Sequence, residues 1–279
     1  HAVRGEAAVR TALGRQNISR PDAILAVGKA AATMAQAAIA RFGTGIPTLV
    51  VTKYGHGDGL PDWVQLIEAA HPVPDENAFV AGNALLHTVR NMAPGSHLLM
   101  LVSGGASALA EVPEAGHSLH SLQAENRQML SRGMDIHAMN AHRKTLSQIK
   151  GGKLLANFPG ALITTLAISD VEGDDLAVIG SGVGDTALDA RFSFDPHIVA
   201  SNRVARGAAA FTAEADFKLT VQHNSETLYD DIRALAPMMA DRLQRGPAGL
   251  YIWGGEPTVV LPPDPGQGGR NQALALLLS

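Results

Sequence analysis

Four short stretches put charged or hydroxyl side chains directly after apolar runs. In an open α/β sheet that is the edge where ligands bind. Lys29 follows Ala23–Val27 in the turn Gly28-Lys29-Ala30. Ser103-Gly104-Gly105-Ala106-Ser107 follows Leu98–Val102. Asp170 follows Leu162–Ile168 and leads into Glu172, Asp174 and Asp175. Glu256 follows Trp253-Gly254-Gly255, with Arg270 downstream in Gly268-Gly269-Arg270-Asn271-Gln272.

Each stretch has a chemistry and a plainer alternative. Gly104 and Gly105 allow close backbone approach, and their N–H groups can converge on one anion. A following helix would add its positive end, and Ser103 and Ser107 would add hydroxyl donors. A tight strand-to-helix turn explains the same residues, so this motif alone does not decide. Lys29 suits a transferring phosphoryl group or a carboxylate; the helix dipole opposes a merely solvated lysine there. Asp170 could accept a hydroxyl proton or hold Mg²⁺, or simply cap a helix. Arg270 reads as a positive clamp on phosphate or as an exposed loop arginine. Glu256, a short loop upstream, favours the clamp.

Other polar residues carry less. Lys144, Lys150 and Lys153 read as the solvated face of a helix beginning near Ile136. Met139, His142, Leu146 and Ile149 form its apolar stripe, which makes His142 a packed, hydrogen-bonded histidine. His117 and His120 lack a third ligand at metal-binding spacing and read as loop residues.

Several function classes drop out. The 279 residues contain no cysteine, which removes disulfides, cysteine metal sites and thiol catalysis and fits a cytoplasmic setting. A net charge of −4 without a dense Lys/Arg block argues against a nucleic-acid partner or an anionic membrane surface. No apolar run approaches the length of a membrane span. Around Gly28-Lys29 the P-loop pattern fails, because Ala23 and Ala30 stand where Gly and Ser/Thr are required. G-x-G-x-x-G, G-x-S-x-G and H-E-x-x-H are also missing, which weakens dehydrogenase, serine hydrolase and zincin readings.

The positioning elements alternate. Apolar strands are predicted at 23–27, 48–52, 64–69, 98–102 and 162–168, and helices at 31–42, 75–91 and 122–134. That rhythm predicts an α/β fold with mostly parallel sheets. It breaks over Val183–Pro196. Strands at 197–201, 218–222 and 249–253 and a helix at 228–243 then form a second unit. The predicted division is a larger Rossmann-like domain over 1–193 and a smaller α/β domain over 194–279. Pro262–Gly269 reads as a loop.

Taken together the segments have a family likeness. AVGKAAATMA (26–35), VTKYGHG (51–57), AAHPVPDENA (69–78), SGGASAL (103–109), MNAHRKTLSQIKGGKL (139–154), ISDVEGDD (168–175), VASN (199–202), GGEPTV (254–259) and GGRNQALAL (268–276) resemble class II glycerate kinases in sequence and order. These are the glycerate 2-kinases, whose C-terminal module is called MOFRL. The resemblance implies ATP- and Mg²⁺-dependent phosphorylation of D-glycerate, usually to 2-phosphoglycerate, in a cleft between two α/β domains. It implies Lys29 and Arg270 on the transferring phosphoryl group, Asp170 as base or metal-side carboxylate, and Glu256 near nucleotide or metal. The SGGAS turn (Ser103, Gly104, Gly105, Ser107) would hold phosphate or carboxylate oxygens. Ala106 departs from a third glycine and should stiffen the turn, and Val183-Gly184 replaces a proline-containing continuation. The family has a longer segment before VASN and continues past Leu278, which implies an incomplete C-terminal module. A homo-oligomer is compatible with everything above.

Two other functions compete. A hydroxypyruvate oxidoreductase, a label the family has carried, needs a nicotinamide site, and its fingerprint is missing. A non-catalytic sugar-acid sensor would not need Lys29, Asp170, Glu256 and Arg270 together.

Overall fold

The structure, a computed structural model, describes residues 2–131, 136–186, 191–261 and 267–279. The chain forms two compact units, His1–Ser201 and Asn202–Ser279.

In the first unit, α1 (Gly5–Arg15), β1 (Ala23–Val27), α2 (Ala31–Phe42), β2 (Thr48–Lys53), β3 (Gln65–Ala69) and α3 (Glu76–Arg90) come first. They are followed by β4 (His97–Val102), α4 (Ala106–Leu109), α5 (Leu119–Ser131), α6 (Ile136–Thr145), β5 (Leu162–Ile168) and β6 (Ser193–Ala200). The six strands form one sheet in the order β3-β2-β1-β4-β5-β6, and every pairing is parallel. This is the doubly wound order of dinucleotide-binding folds, as the alternating pattern predicts.

Period-2 side-chain alternation explains the burial. Leu25, Val27, Met100 and Val102 join one core cluster with Ala81, Leu85 and Val89 of α3. Their neighbours Ile24, Ala26, Leu99 and Leu101 join the other with Val9 of α1 and Met34 and Ala38 of α2. Both faces of β1 and β4 are therefore covered, and the strands are apolar apart from His97 at the start of β4. Asp75 caps α3 as expected, accepting the Ala78 N–H at 3.2 Å.

Three predicted features change. First, the division falls after Ser201 and not at 193/194, because β6 is hydrogen-bonded to β5 and belongs to the first sheet. Its Pro196 disguised it as irregular chain; β6 is an edge strand, where a missing N–H is tolerated. Second, α6 ends at Thr145, and Leu146–Leu154 runs through turns, so the lysine face does not exist as a helix face. Third, α1 was not signalled by the alternation that revealed the other elements. The side chain of Met139, residues 132–134 of the predicted helix, residues 187–190 and residues 262–266 of the predicted loop lie outside the described residues.

The second unit contains α7 (Asn202–Phe217), β7 (Val221–Leu228), α8 (Ile232–Arg245), β8 (Leu250–Gly255) and α9 (Arg270–Leu278). β7 and β8 pair in parallel. Leu228, Ile232, Leu235, Met239 and Leu274 make its core. Among the described residues no helix is long and apolar enough to cross a membrane.

Candidate active site at the carboxyl edge of the first sheet

Strand order reverses between β1 and β4, so the crevice beyond their carboxyl ends is the topological switch point. Two of the predicted stretches meet there. β1 runs into Gly28-Lys29, β4 runs into Ser103-Gly104-Gly105, and the turns are hydrogen-bonded to each other. The Lys29 N–H donates to the Gly104 carbonyl at 2.9 Å, and the Ser103 N–H donates to the Val27 carbonyl at 3.0 Å. The Ser103 hydroxyl is buried and accepts the Ala30 N–H at 3.0 Å. Ser103 thus stitches the two turns, a structural duty that its sequence position did not announce.

The glycines are where they are for space. A side chain at Gly28, whose φ is +127°, would overlap Ser103. One at Gly104 would overlap the Asp170 carboxylate, so Asp170, at the end of β5, lies against the SGGAS turn. Gly105 adopts the left-handed conformation at φ +89°, and a Cβ there would come within 3.1 Å of both Lys29 Cγ and His71 Cδ2. Lys29, Gly104, Gly105, Asp170 and His71 therefore form one cluster. The Ser107 hydroxyl accepts from Ser181 Oγ at 2.9 Å. Ala106 is buried, and its methyl faces the space beside Gly180, which explains how alanine is accommodated in this turn. The helix after the turn, α4, is a single turn of four residues, so the predicted dipole contribution to anion binding is small.

His71 is the residue the sequence reading missed. It stands at the end of β3 in His-Pro-Val-Pro, where the signal was a polar residue at a strand end. Burial, helped by the charges of Lys29 and Lys53, holds its imidazole below the ordinary value of 6.5 against an opposing pull from Asp170.

A cavity of about 220 Å³ adjoins this cluster, sharing His71, Gly105 and Ser107 with it and adding Glu111, Arg143 and Lys150. Lys150 is buried, not solvated, and its Nζ lies 2.5 Å from Glu111 Oε2. Lys153 donates to Glu114 at 3.1 Å and Lys144 to the Ala177 carbonyl at 2.9 Å, so all three lysines are engaged. The signal for Lys150 was available: Ile149 precedes it and Gly-Gly follows, an apolar, turn-forming context for a charge. His142 is hydrogen-bonded as expected, 3.0 Å from Oε2 of Glu125, whose Oε1 faces His117, but it is exposed and not packed. Leu146 and Ile149, the other half of the expected stripe, lie beyond the end of α6 at Thr145.

In the second unit Glu256 follows β8 and Arg270 opens α9, and the two side chains form an exposed ion pair. An arginine in a first helical turn opposes the dipole, and the carboxylate compensates. The structure thus joins these two predicted residues to each other, as it joins Lys29 and Asp170 through the SGGAS turn.

The fold and the site define a doubly wound α/β protein with Lys29, His71 and Asp170 gathered at the switch point of a parallel sheet. Residues 1–195 match the family described as a domain of unknown function, DUF4147. A D-glycerate 2-kinase of Thermotoga maritima is 35% identical over 99% of this chain and 75% of its own length. A protein of Agrobacterium vitis, named provisionally as a hydroxypyruvate reductase, is 34% identical over 92% of this chain and 77% of its own. The crystal structure of a glycerate kinase from Thermotoga maritima superposes with a TM-score of 0.87 at 31% identity, covering 99% of this chain and 76% of that one. The chain belongs to the glycerate 2-kinase family.

Proposed function

We propose that this chain transfers the γ-phosphoryl group of ATP to D-glycerate, giving 2-phosphoglycerate. Membership of the glycerate 2-kinase family makes it an enzyme, a kinase. The observation that carries the residue assignment is the cluster of Lys29, Gly104, Gly105, His71 and Asp170 at the switch point.

Phosphoryl transfer passes through a loose transition state that needs positioned positive charge and an oriented hydroxyl more than covalent help. Lys29 supplies charge beside the glycine turn, whose backbone N–H groups face phosphate oxygens. Asp170 accepts the proton of the glycerate hydroxyl. Its exposure leaves it accessible to substrate, and its place against Gly104 fixes its direction. Arg270 supplies the second positive charge, held ready by Glu256.

Magnesium prefers hard carboxylate oxygens, which Asp170 offers at the sheet edge of the first unit and Glu256 offers in the second. That matches an ion bound by one or two carboxylates plus the substrate's phosphates. When bound it would neutralise phosphate charge. We place the reaction in the cytoplasm, where ATP is supplied.

A reductase acting on hydroxypyruvate is the second reading, favoured by the dinucleotide-type strand order and by the name of the Agrobacterium relative. Against it, the turn after β1 is Gly28-Lys29-Ala30, with alanine where the second glycine of a pyrophosphate fingerprint belongs. The test is ADP release on adding D-glycerate to protein, ATP and Mg²⁺, with the product identified by ³¹P NMR. Glycerate-dependent ADP release with 2-phosphoglycerate supports the proposal; folded protein without turnover removes it.

A further inference from the structure

Four neighbouring strands of the first sheet, in the spatial order β3-β2-β1-β4, each end in a group that can bind an anion. His71 follows β3, Lys53 closes β2, Lys29 follows β1, and the Gly104-Gly105 turn follows β4. β1 and β2 pair in parallel with Val27 level with Val51, and each lysine stands two residues further on. Neighbouring strands lie about 4.8 Å apart, so the two lysines start from adjacent positions on one edge. A Cβ on Gly105 would meet Lys29 Cγ and His71 Cδ2, each at 3.1 Å, so those two side chains share one side of the turn. Lys53 acts on the same imidazole: after burial, the charges of Lys29 and Lys53 hold His71 below its ordinary value.

The backbone around Lys53 is tied down. The Tyr54 N–H donates to the Ala69 carbonyl at 3.3 Å, and the His56 N–H donates to the Lys53 carbonyl at 3.1 Å. The carboxylates of the adjoining strand and helix are engaged by other donors. Glu68 Oε1 accepts the N–H groups of His56 and Gly57, each at 3.2 Å. Asp75 accepts the Tyr54 hydroxyl at 2.6 Å and caps α3. Among the described residues, the side chains of Lys29, Lys53 and His71 make no hydrogen bond or ion pair. Lys53 is half-buried, so its charge is less screened than that of a fully exposed lysine. Like charges on adjoining strand ends repel, and an oxyanion shared by both removes that repulsion. An ammonium is a compact charge with three rotatable donors, which suits a carboxylate and a phosphoryl group alike.

We propose that Lys53 is a second oxyanion-binding residue of the switch-point site, acting with Lys29 on one carboxylate or phosphoryl group of the reactants while the His71 imidazole donates an N–H to it. It rests on the reading of the chain as a hydroxy-acid kinase, whose reactants carry both groups. The two groups share the chemistry this row of donors recognises, clustered anionic oxygens, and differ in which constant Lys53 moves. A carboxylate is held equally in the ground and transition states, so its loss raises the KM for the acid. A phosphoryl group changes its charge distribution during transfer, so its loss lowers kcat.

The experiment compares wild type with K53M and K53R, after melting curves show that the variants fold; K53Q takes the place of K53M where K53M does not. Calorimetry without nucleotide measures binding of D-glycerate, of its uncharged amide and of inorganic phosphate, and steady-state kinetics gives kcat and the KM for D-glycerate and for ATP. K53M is expected to weaken binding of one of the two anions about 30-fold, with K53R recovering part of the loss and amide binding unchanged. A loss confined to D-glycerate affinity and its KM assigns the carboxylate. A loss of phosphate affinity with a lowered kcat assigns the phosphoryl group. Affinities for both anions within about twofold of wild type in K53M overturn the proposal, as do equal losses for acid and amide, or no binding of either anion by wild type. Lys53-dependent anion binding in a wild type that never turns over with ATP keeps the subsite and removes the kinase reading. Turnover with ATP that K53M leaves unimpaired does the reverse.

Discussion

Among the described residues, Lys150–Glu111 and Arg270–Glu256 are both cation–glutamate pairs, and they differ sharply in burial. Lys150–Glu111 in the first unit has side chains only 6% and 7% exposed, and each partner's charge is desolvated. Arg270–Glu256 in the second unit is 43% and 57% exposed. A buried pair is held together because neither ion can be left alone, whereas an exposed pair exchanges its partner for water or an incoming anion at little cost. The first pair therefore builds a wall and the second keeps a cation available. The sequence reading took Lys150 as solvated, which the structure reverses, and Arg270 as a phosphate clamp or an exposed loop arginine, and it is exposed.

That contrast can be broken in measurable ways. The largest effect belongs to the accessible cations. Arg270→Ala and Lys29→Ala should each lower kcat by about 10³-fold, the scale of lost transition-state charge, while leaving the melting temperature nearly unchanged. Wild-type turnover in either variant removes that residue from the mechanism. Next comes the buried pair: Lys150→Met alone strands a carboxylate and should cost about 3–5 kcal/mol in urea unfolding. Glu111→Leu combined with Lys150→Met should recover most of that stability. Arg270→Met, by comparison, should change stability by no more than about 1 kcal/mol. Equal costs for Lys150→Met and Arg270→Met would erase the distinction.

Much of this was legible beforehand, and the failures have physical causes. Strands β1, β2, β4 and β5 and helices α2 and α3 were readable because an apolar run or a capped amphipathic pattern is a local signal. Lys29, the SGGAS turn, Asp170, Glu256 and Arg270 were readable as unusual residues at strand ends. What the sequence could not show was which strand ends are neighbours. The order β3-β2-β1-β4-β5-β6 brings the SGGAS turn, the Lys29 turn and Asp170 together, and no spacing along the chain encodes that. Glu111 and Lys150 are 39 positions apart and meet only in the fold. β6 was misassigned because Pro196 looks like a breaker, and only its edge position makes it harmless. His71 was passed over because its one signal, a polar residue just past a strand end, is shared by many ordinary loop residues.

Two smaller effects sharpen the account within the first unit. Gly104→Ala places a methyl against the Asp170 carboxylate. It should lower kcat about 100-fold through misplacement of that carboxylate, with little loss of stability, and a fully active variant would show that Asp170 can move without consequence. The smallest effect concerns pH. Because the folded-state value of His71 is depressed, the unfolded chain binds more protons in acid. The stability contribution of the neutral imidazole is complete above the ordinary value of 6.5 and declines as pH falls toward the folded value. Melting temperatures between roughly pH 5 and 8, the range in which histidine titrates, should therefore fall less steeply on acidification for His71→Gln than for wild type. Parallel curves would mean that His71 is not held neutral by its surroundings.

The most direct test is a side-by-side assay of one preparation: ADP release with ATP, Mg²⁺ and D-glycerate, and NADH oxidation with hydroxypyruvate. The account predicts D-glycerate-dependent ADP release that Lys29→Ala lowers about 10³-fold, and no NADH oxidation. Hydroxypyruvate-dependent NADH oxidation without ADP release would contradict it and make the switch-point crevice a nicotinamide site.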